Sequence, residues 1–198
     1  MVQPGESHVV GAYEAKTHFS ELLERAVNAL KSGKAVDLEA PMDKGPEVDL
    51  QAAALIPADY LPDIHARLVL YKRIANTETQ EDLRELQIEM IDRFGLLPEA
   101  VKTLFSVTEL KQQAEKLGVK KIDANAGGGR LIFTANPTLN TDQLIRLIQT
   151  EAQCYKFDGA DKLRFIKPFS DTEQKLEFIS ALLTKLTPEI ASNLKLKR

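Results

Sequence analysis

The chain has 198 residues, 43% of them hydrophobic and 28% charged, an ordinary globular composition with enough core to fold without disulfides or metals. Lys and Arg total 26 against 29 Asp and Glu, a formal charge of −3, which excludes a surface broad and basic enough to hold nucleic acid by charge alone and leaves only a local basic patch open. The single cysteine, Cys154, excludes an internal disulfide framework, no apolar run approaches the roughly 18 residues of a membrane span, and the polar stretch Met1 to Ser7 lacks a signal-peptide core, so a cytoplasmic protein with no membrane contact is expected.

Residues 1–33 divide into a polar tail and an amphipathic helix. Phe19, Leu22, Leu23, Ala26, Val27 and Leu30 recur at three and four, and Gly33 can end the helix. Residues 34–47 carry Gly, Pro and charge without a period and read as a linker. The main domain spans 48–198. It opens on a strand from Val48 to Pro57, suited to a sheet edge. Pro62-Asp63 then starts a helix with Ile64, Leu68, Tyr71 and Ala75 inward. Thr77-x-x-Gln80 reads as the capping box of a second helix with Leu83, Leu86, Met90, Ile91 and Phe94 inward and Gly95 as its stop. The helix after Pro98 has two apolar stripes: Val101, Leu104, Phe105 and Thr108, then Val107, Leu110, Ala114 and Leu117. Two stripes predict a central helix buried on two sides, ending at Gly118.

Beyond Gly118 the texture changes to short strands. Val119–Ala124 and Leu131–Ala135 flank Gly127-Gly128-Gly129, a hairpin signal. Asn140-x-x-Gln143 caps a short helix carrying Leu144, Ile145, Leu147 and Ile148. Cys154–Phe157 and Leu163–Lys167 form a second hairpin. Ser170-x-x-Glu173 reads as the capping box of a last helix on Leu176, Ile179, Leu182, Leu183 and Leu186, ended by Thr187-Pro188. Hairpins rather than βαβ units predict an α+β fold: a small antiparallel or mixed sheet packed with about five helices, plus the N-terminal helical extension.

A search for chemistry finds no catalytic constellation. The Gly triplet leads into Arg130-Leu-Ile-Phe-Thr, a strand, where a phosphate cradle would lead into a helix and Gly-Lys-Ser/Thr. His8, His18 and His65 lack metal-site spacing, and Cys154 has no fixed His partner. One helical face stands out. At about 100° per residue, Glu81, Glu85 and Asp92 gather opposite the core of the second helix, with Glu89 beside them. Ile88 sits in that acidic field. The residues alone leave two readings open: a docking patch with an apolar anchor for a basic partner, or a solvated face with one exposed Ile.

Two runs carry a family resemblance. Leu55-Ile-Pro-Ala-Asp-Tyr-Leu-Pro-Asp-Ile-His-Ala-Arg-Leu-Val-Leu-Tyr-Lys-Arg-Ile-Ala75 and Ile91-Asp-Arg-Phe-Gly-Leu-Leu-Pro98 resemble the C-terminal domain of bacterial transcription-repair coupling factor, and the likeness extends from about Val48 into the last helix. The resemblance implies a fragment of a large ATP-dependent DNA translocase that displaces stalled RNA polymerase and recruits excision repair. The motor, with its ATP, magnesium and DNA contacts, would lie outside this chain, which would need no cofactor and catalyse nothing itself. It implies a regulatory domain that clamps onto an excinuclease-B-like module of the same protein. That clamp would mask the excinuclease A recruitment surface and restrain the motor until polymerase is engaged. Matched position by position, the family's acidic contacts fall on Glu89 and Asp92, within the strip that also holds Glu85 and Ile88. A second, shorter likeness, Gly11 to Arg25, is to DNA-binding antitoxin-type repressors; it covers none of the main domain.

Overall fold

The computed structural model describes residues 45–188. The N-terminal helix, nearly all of the linker and the antitoxin-like stretch lie outside the described residues. The elements run in the expected order: β1 (Glu47–Asp49), α1 (Ile64–Ala75), α2 (Gln80–Phe94), α3 (Glu99–Leu117), β2 (Val119–Asn125), β3 (Gly128–Phe133), α4 (Thr141–Thr150), β4 (Tyr155–Phe157), β5 (Lys162–Ile166) and α5 (Thr172–Leu186). The fold is α+β, with a five-stranded mixed sheet ordered β1-β2-β3-β5-β4. The two hairpins join through antiparallel β3 and β5, and β1 adds to β2 in parallel.

The central position of α3 follows from its two stripes. Val101, Leu104 and Phe105 enter one core with α1 and α2, around Tyr71, Ile74, Leu83, Leu86 and Met90. Val107, Leu110, Ala114 and Leu117 enter a second core with the sheet, α4 and α5. The stripe positions are buried on both sides, and Gly118 ends the helix in the left-handed region at φ 71°.

Several local expectations need correction. The first strand is only Glu47–Asp49, because Gln51 takes φ 52° and its N–H bonds back to the Asp49 carboxylate at 3.0 Å, turning the chain out of the sheet. The inward face of α1 is Leu70, Tyr71 and Ile74. Ile64 and Ala75 are exposed and Leu68 is half-buried. Tyr71 belongs to both the expected and the observed face; the observed face is turned about it toward Leu70 and Ile74, and the buried Tyr71 hydroxyl accepts the Ile56 N–H at 2.6 Å. Burial pushes the Tyr71 phenol above its usual range, partly offset by that bond.

The caps shift too. The capping box of α2 is Thr79 with Asp82, not Thr77 with Gln80. The Thr77 hydroxyl instead donates to the Ile74 carbonyl at 2.8 Å, while Gln112 of α3 donates to the Thr77 carbonyl at 2.9 Å and locks the α1–α2 loop. Asp171 rather than Ser170 caps α5, accepting from the Gln174 N–H at 2.8 Å. The expected Asn140 cap of α4 forms.

Gly128 and Gly129 lie inside β3 rather than in the turn. A Cβ on Gly128 would meet the Phe165 carbonyl. One on Gly129 would meet the Asp123 carbonyl and the Phe165 ring. Two of the three glycines thus permit close approach of backbone and ring rather than a loop. Lys175, buried in α5, donates to the Leu50 carbonyl at 2.6 Å and pins the chain leaving β1.

Candidate functional site

The outer face of α2 is positioned from three sides. Its core face, Leu83, Leu86 and Met90, is buried against α1 and α3. At its start, Gln80 donates to Glu109 of α3 at 2.8 Å. At its end, the Tyr60 hydroxyl donates to the Gly95 carbonyl at 3.0 Å, and the Tyr60 ring meets Phe94 edge to face. The orientation of the remaining residues is therefore set by packing.

Glu85, Ile88 and Asp92 are exposed, Ile88 at 59%. Glu89 is half-buried and already engaged. Arg73 of α1 grips it with both guanidinium nitrogens, 2.8 Å to one oxygen and 2.5 Å to the other, and Arg93 adds a bond of 2.9 Å one turn along α2. The Arg73 and Arg93 hydrogen bonds hold the Glu89 carboxyl at about 2, well below its ordinary 4.5. A carboxylate offers about four acceptor sites, and three are taken here, so Glu89 organises two cations rather than presenting a free charge. Asp92, three residues on, has no hydrogen bond or ion pair among the described residues and, like Glu85, is an open acceptor on that surface.

Ile91 corrects an expectation: it is 37% exposed rather than core, because Met90 and Phe94 occupy the inward positions at this end of α2. Leu96 is 87% exposed while its neighbour Leu97 is buried. Ile88 and Ile91 together give the face more apolar area than one isoleucine. The i, i+4 spacing of Glu89 and Arg93 was readable as an ion pair; Arg73 was not, because only the packing of α1 against α2 brings it there. Arg73, Glu85 and Glu89 also line an open groove between these helices. Among the described residues no group of His, Cys, Asp and Glu is placed to hold a metal ion, and no helix is long and apolar enough to cross a membrane.

The TRCF domain family matches residues 50–144, a span that contains α1, α2 and α3 with this face. The chain belongs to the TRCF domain family. Its similar relatives include transcription-repair-coupling factor of Haemophilus influenzae, 46% identical over 165 residues, and that of Escherichia coli, 40% identical over 168 residues. These alignments cover 83% and 85% of this chain but only 14% and 15% of the relatives. A crystal structure of the C-terminal domain of transcription-repair coupling factor superposes with a TM-score of 0.61, covering 73% of this chain and 94% of that one at 21% identity, which establishes the shared fold. The α2 face thus sits within a TRCF domain.

Proposed function

We propose that the TRCF domain is a non-catalytic regulatory clamp within a DNA translocase, and that the outer face of α2 is its grip. The partner is the excinuclease-B-like module of the same protein. While the clamp is closed, the excinuclease A recruitment surface on that module is covered and the motor is restrained; engagement of stalled RNA polymerase releases both. ATP, magnesium and DNA are handled by the motor, and this domain contributes no reacting group.

The observation that carries this reading is the combination of an exposed carboxylate, Asp92, with the exposed apolar residues Ile88 and Ile91 on a helix whose other side is packed. Apolar anchors inside a polar rim are what a protein interface needs. The Arg73–Glu89–Arg93 cluster holds the rim in one geometry before the partner arrives. Basic side chains of the partner reach Asp92 and Glu85, and one takes the remaining acceptor site of Glu89.

The test is a full-length transcription-repair coupling factor carrying Ile88→Ser with Asp92→Ala. Losing a desolvated charge contact costs about 2–5 kcal/mol, and a rim contact under about 1 kcal/mol. Basal ATPase and excinuclease A binding should rise together, because one contact restrains both, and the melt of the isolated chain should not change. Unchanged activities with an unchanged melt would place the clamp on another surface.

A further inference from the structure

The sheet has a second surface with a different character. Its buried residues, among them Ile122, Leu131, Leu163 and Phe165, face α3, α4 and α5, and no described helix covers the opposite face. There the register lines up one charged residue per strand: Asp49, Asp123, Arg130, Arg164 and Lys156, in the strand order of the sheet. Lys162 lies in the neighbouring row, opposite Ile132.

The acids are spent at one end. Glu47 accepts from Lys121 at 2.7 Å, Lys121 also lies 3.6 Å from Asp123, and Asp123 accepts from Arg130 at 2.7 Å. Lys121 is partly buried, which lowers its pKa, but these carboxylates outweigh that and hold it above the usual range. At the other end Arg164 sits between Arg130 and Lys156 with no ion-pair partner among the described residues, and Lys156 and Lys162 have none either. Like charges directly opposite one another on adjacent strands destabilise a sheet. Asp123 neutralises Arg130, while Arg164, Lys156 and Lys162 have no paired carboxylate among the described residues, so an anionic ligand is their natural counterpart. The face also forms an open hollow of about 860 Å³, lined by Arg130, Lys162 and Arg164 and also by the acids Glu47, Asp49, Asp123 and Asp158.

We propose that this helix-free face, over β3, β5 and β4, docks an acidic segment of a protein partner. Two features favour protein over nucleic acid. A phosphate backbone laid across the strands would run into Glu47, Asp49 and Asp123. The residues that share the face with the cations are aliphatic, Ile132 and Ile166, not the aromatic platform on which bases stack. Carboxylates reaching Arg164, Lys156 and Lys162, with one apolar side chain against Ile166, satisfy both the charge and the apolar surface. This surface is separate from the α2 face and does not depend on the clamp.

The experiment uses the full 198-residue chain, a fluorescein-labelled oligoglutamate as probe, and an oligothymidylate of equal charge as competitor class. Anisotropy should show binding of oligoglutamate that weakens severalfold as salt rises from about 50 to 200 mM. Arg164→Glu with Lys156→Glu should weaken it at least tenfold, while Lys102→Glu, on α3, should leave it unchanged. The double reversal should melt no lower than the parent, because it turns the Arg130–Arg164 repulsion into an attraction while positions 164 and 156 stay like-charged as before. Tighter binding of oligothymidylate would overturn the proposal in favour of a phosphate site. Absence of oligoglutamate binding at low salt, or a variant that melts well below the parent, would overturn it by showing that the row serves the fold.

Discussion

In the helical half, Leu104 and Met90 are sealed inside while Ile88 and Ile91 remain outside on the helix that carries Glu85, Glu89 and Asp92. In the sheet half, Ile122, Leu131 and Leu163 are sealed inside while a row of charge, basic at one end, lies outside. The same central helix serves both cores, so the two halves share a backbone and differ in what they offer a partner. The helical half offers apolar anchors set in an organised ionic rim. The sheet half offers unbalanced charge. Burial explains the inside of each half; only the outside distinguishes them, and that is where function is to be sought.

The largest effects probe whether the halves are one folding unit. Leu104→Ala on the helical side and Leu183→Ala on the sheet side both empty fully buried sites, and each should cost about 2–5 kcal/mol. Because α3 belongs to both cores, denaturant curves should stay single transitions with lowered midpoints. Two resolved transitions in either variant would separate the halves. Gly129→Ala places a methyl against the Asp123 carbonyl and the Phe165 ring, an overpacking that should cost about 1–3 kcal/mol, read in the same way. Lys175→Ala leaves the buried Leu50 carbonyl without its donor and should cost about 1–3 kcal/mol, loosening β1; amide exchange at Val48 and Leu50 is the readout.

The smallest effect sharpens the ionic rim. Glu89 titrates at about 2 in the fold against an ordinary 4.5. A depressed carboxylate pKa stabilises fully above about 4.5 and is lost as pH falls through about 2. The Glu89 side chain is 34% exposed, so solvent screening keeps its contribution under about 1 kcal/mol. Glu89→Gln should therefore melt slightly below the parent at neutral pH and converge with it near pH 2, as followed by thermal melts across that window.

Element order was legible throughout, because hydrophobic period and punctuation by Gly and Pro agree from Pro62 to Leu186. The central role of α3 was legible because its two stripes are distinct. The inward face of α1 was legible only at Tyr71, since its apolar residues form overlapping stripes that share that position, and burial of Leu70 and Ile74 in place of Leu68 and Ala75 is set by packing against α2 and α3. Thr77 looked like a cap and proved to be a loop lock held by Gln112, again through tertiary structure. On the outer face of α2, Glu85, Ile88 and Asp92 could be placed outward from the helical wheel alone. That Glu89 is clasped by Arg73 could not, because the two residues meet only when α1 packs on α2. The cation row of the sheet was equally hidden: Arg130, Arg164 and Lys156 are unremarkable until the pairing of β3 with β5 and β5 with β4 brings them into register.

The claim that the α2 face is the grip of the clamp is tested most directly by titrating the isolated excinuclease-B-like module with this chain by calorimetry, comparing the parent with Ile88→Ser/Asp92→Ala and with Arg164→Glu/Lys156→Glu. The parent should bind, the α2 variant should lose at least tenfold in affinity, and the sheet variant should bind like the parent. Equal affinity of the parent and the α2 variant, with both folded, would contradict the account.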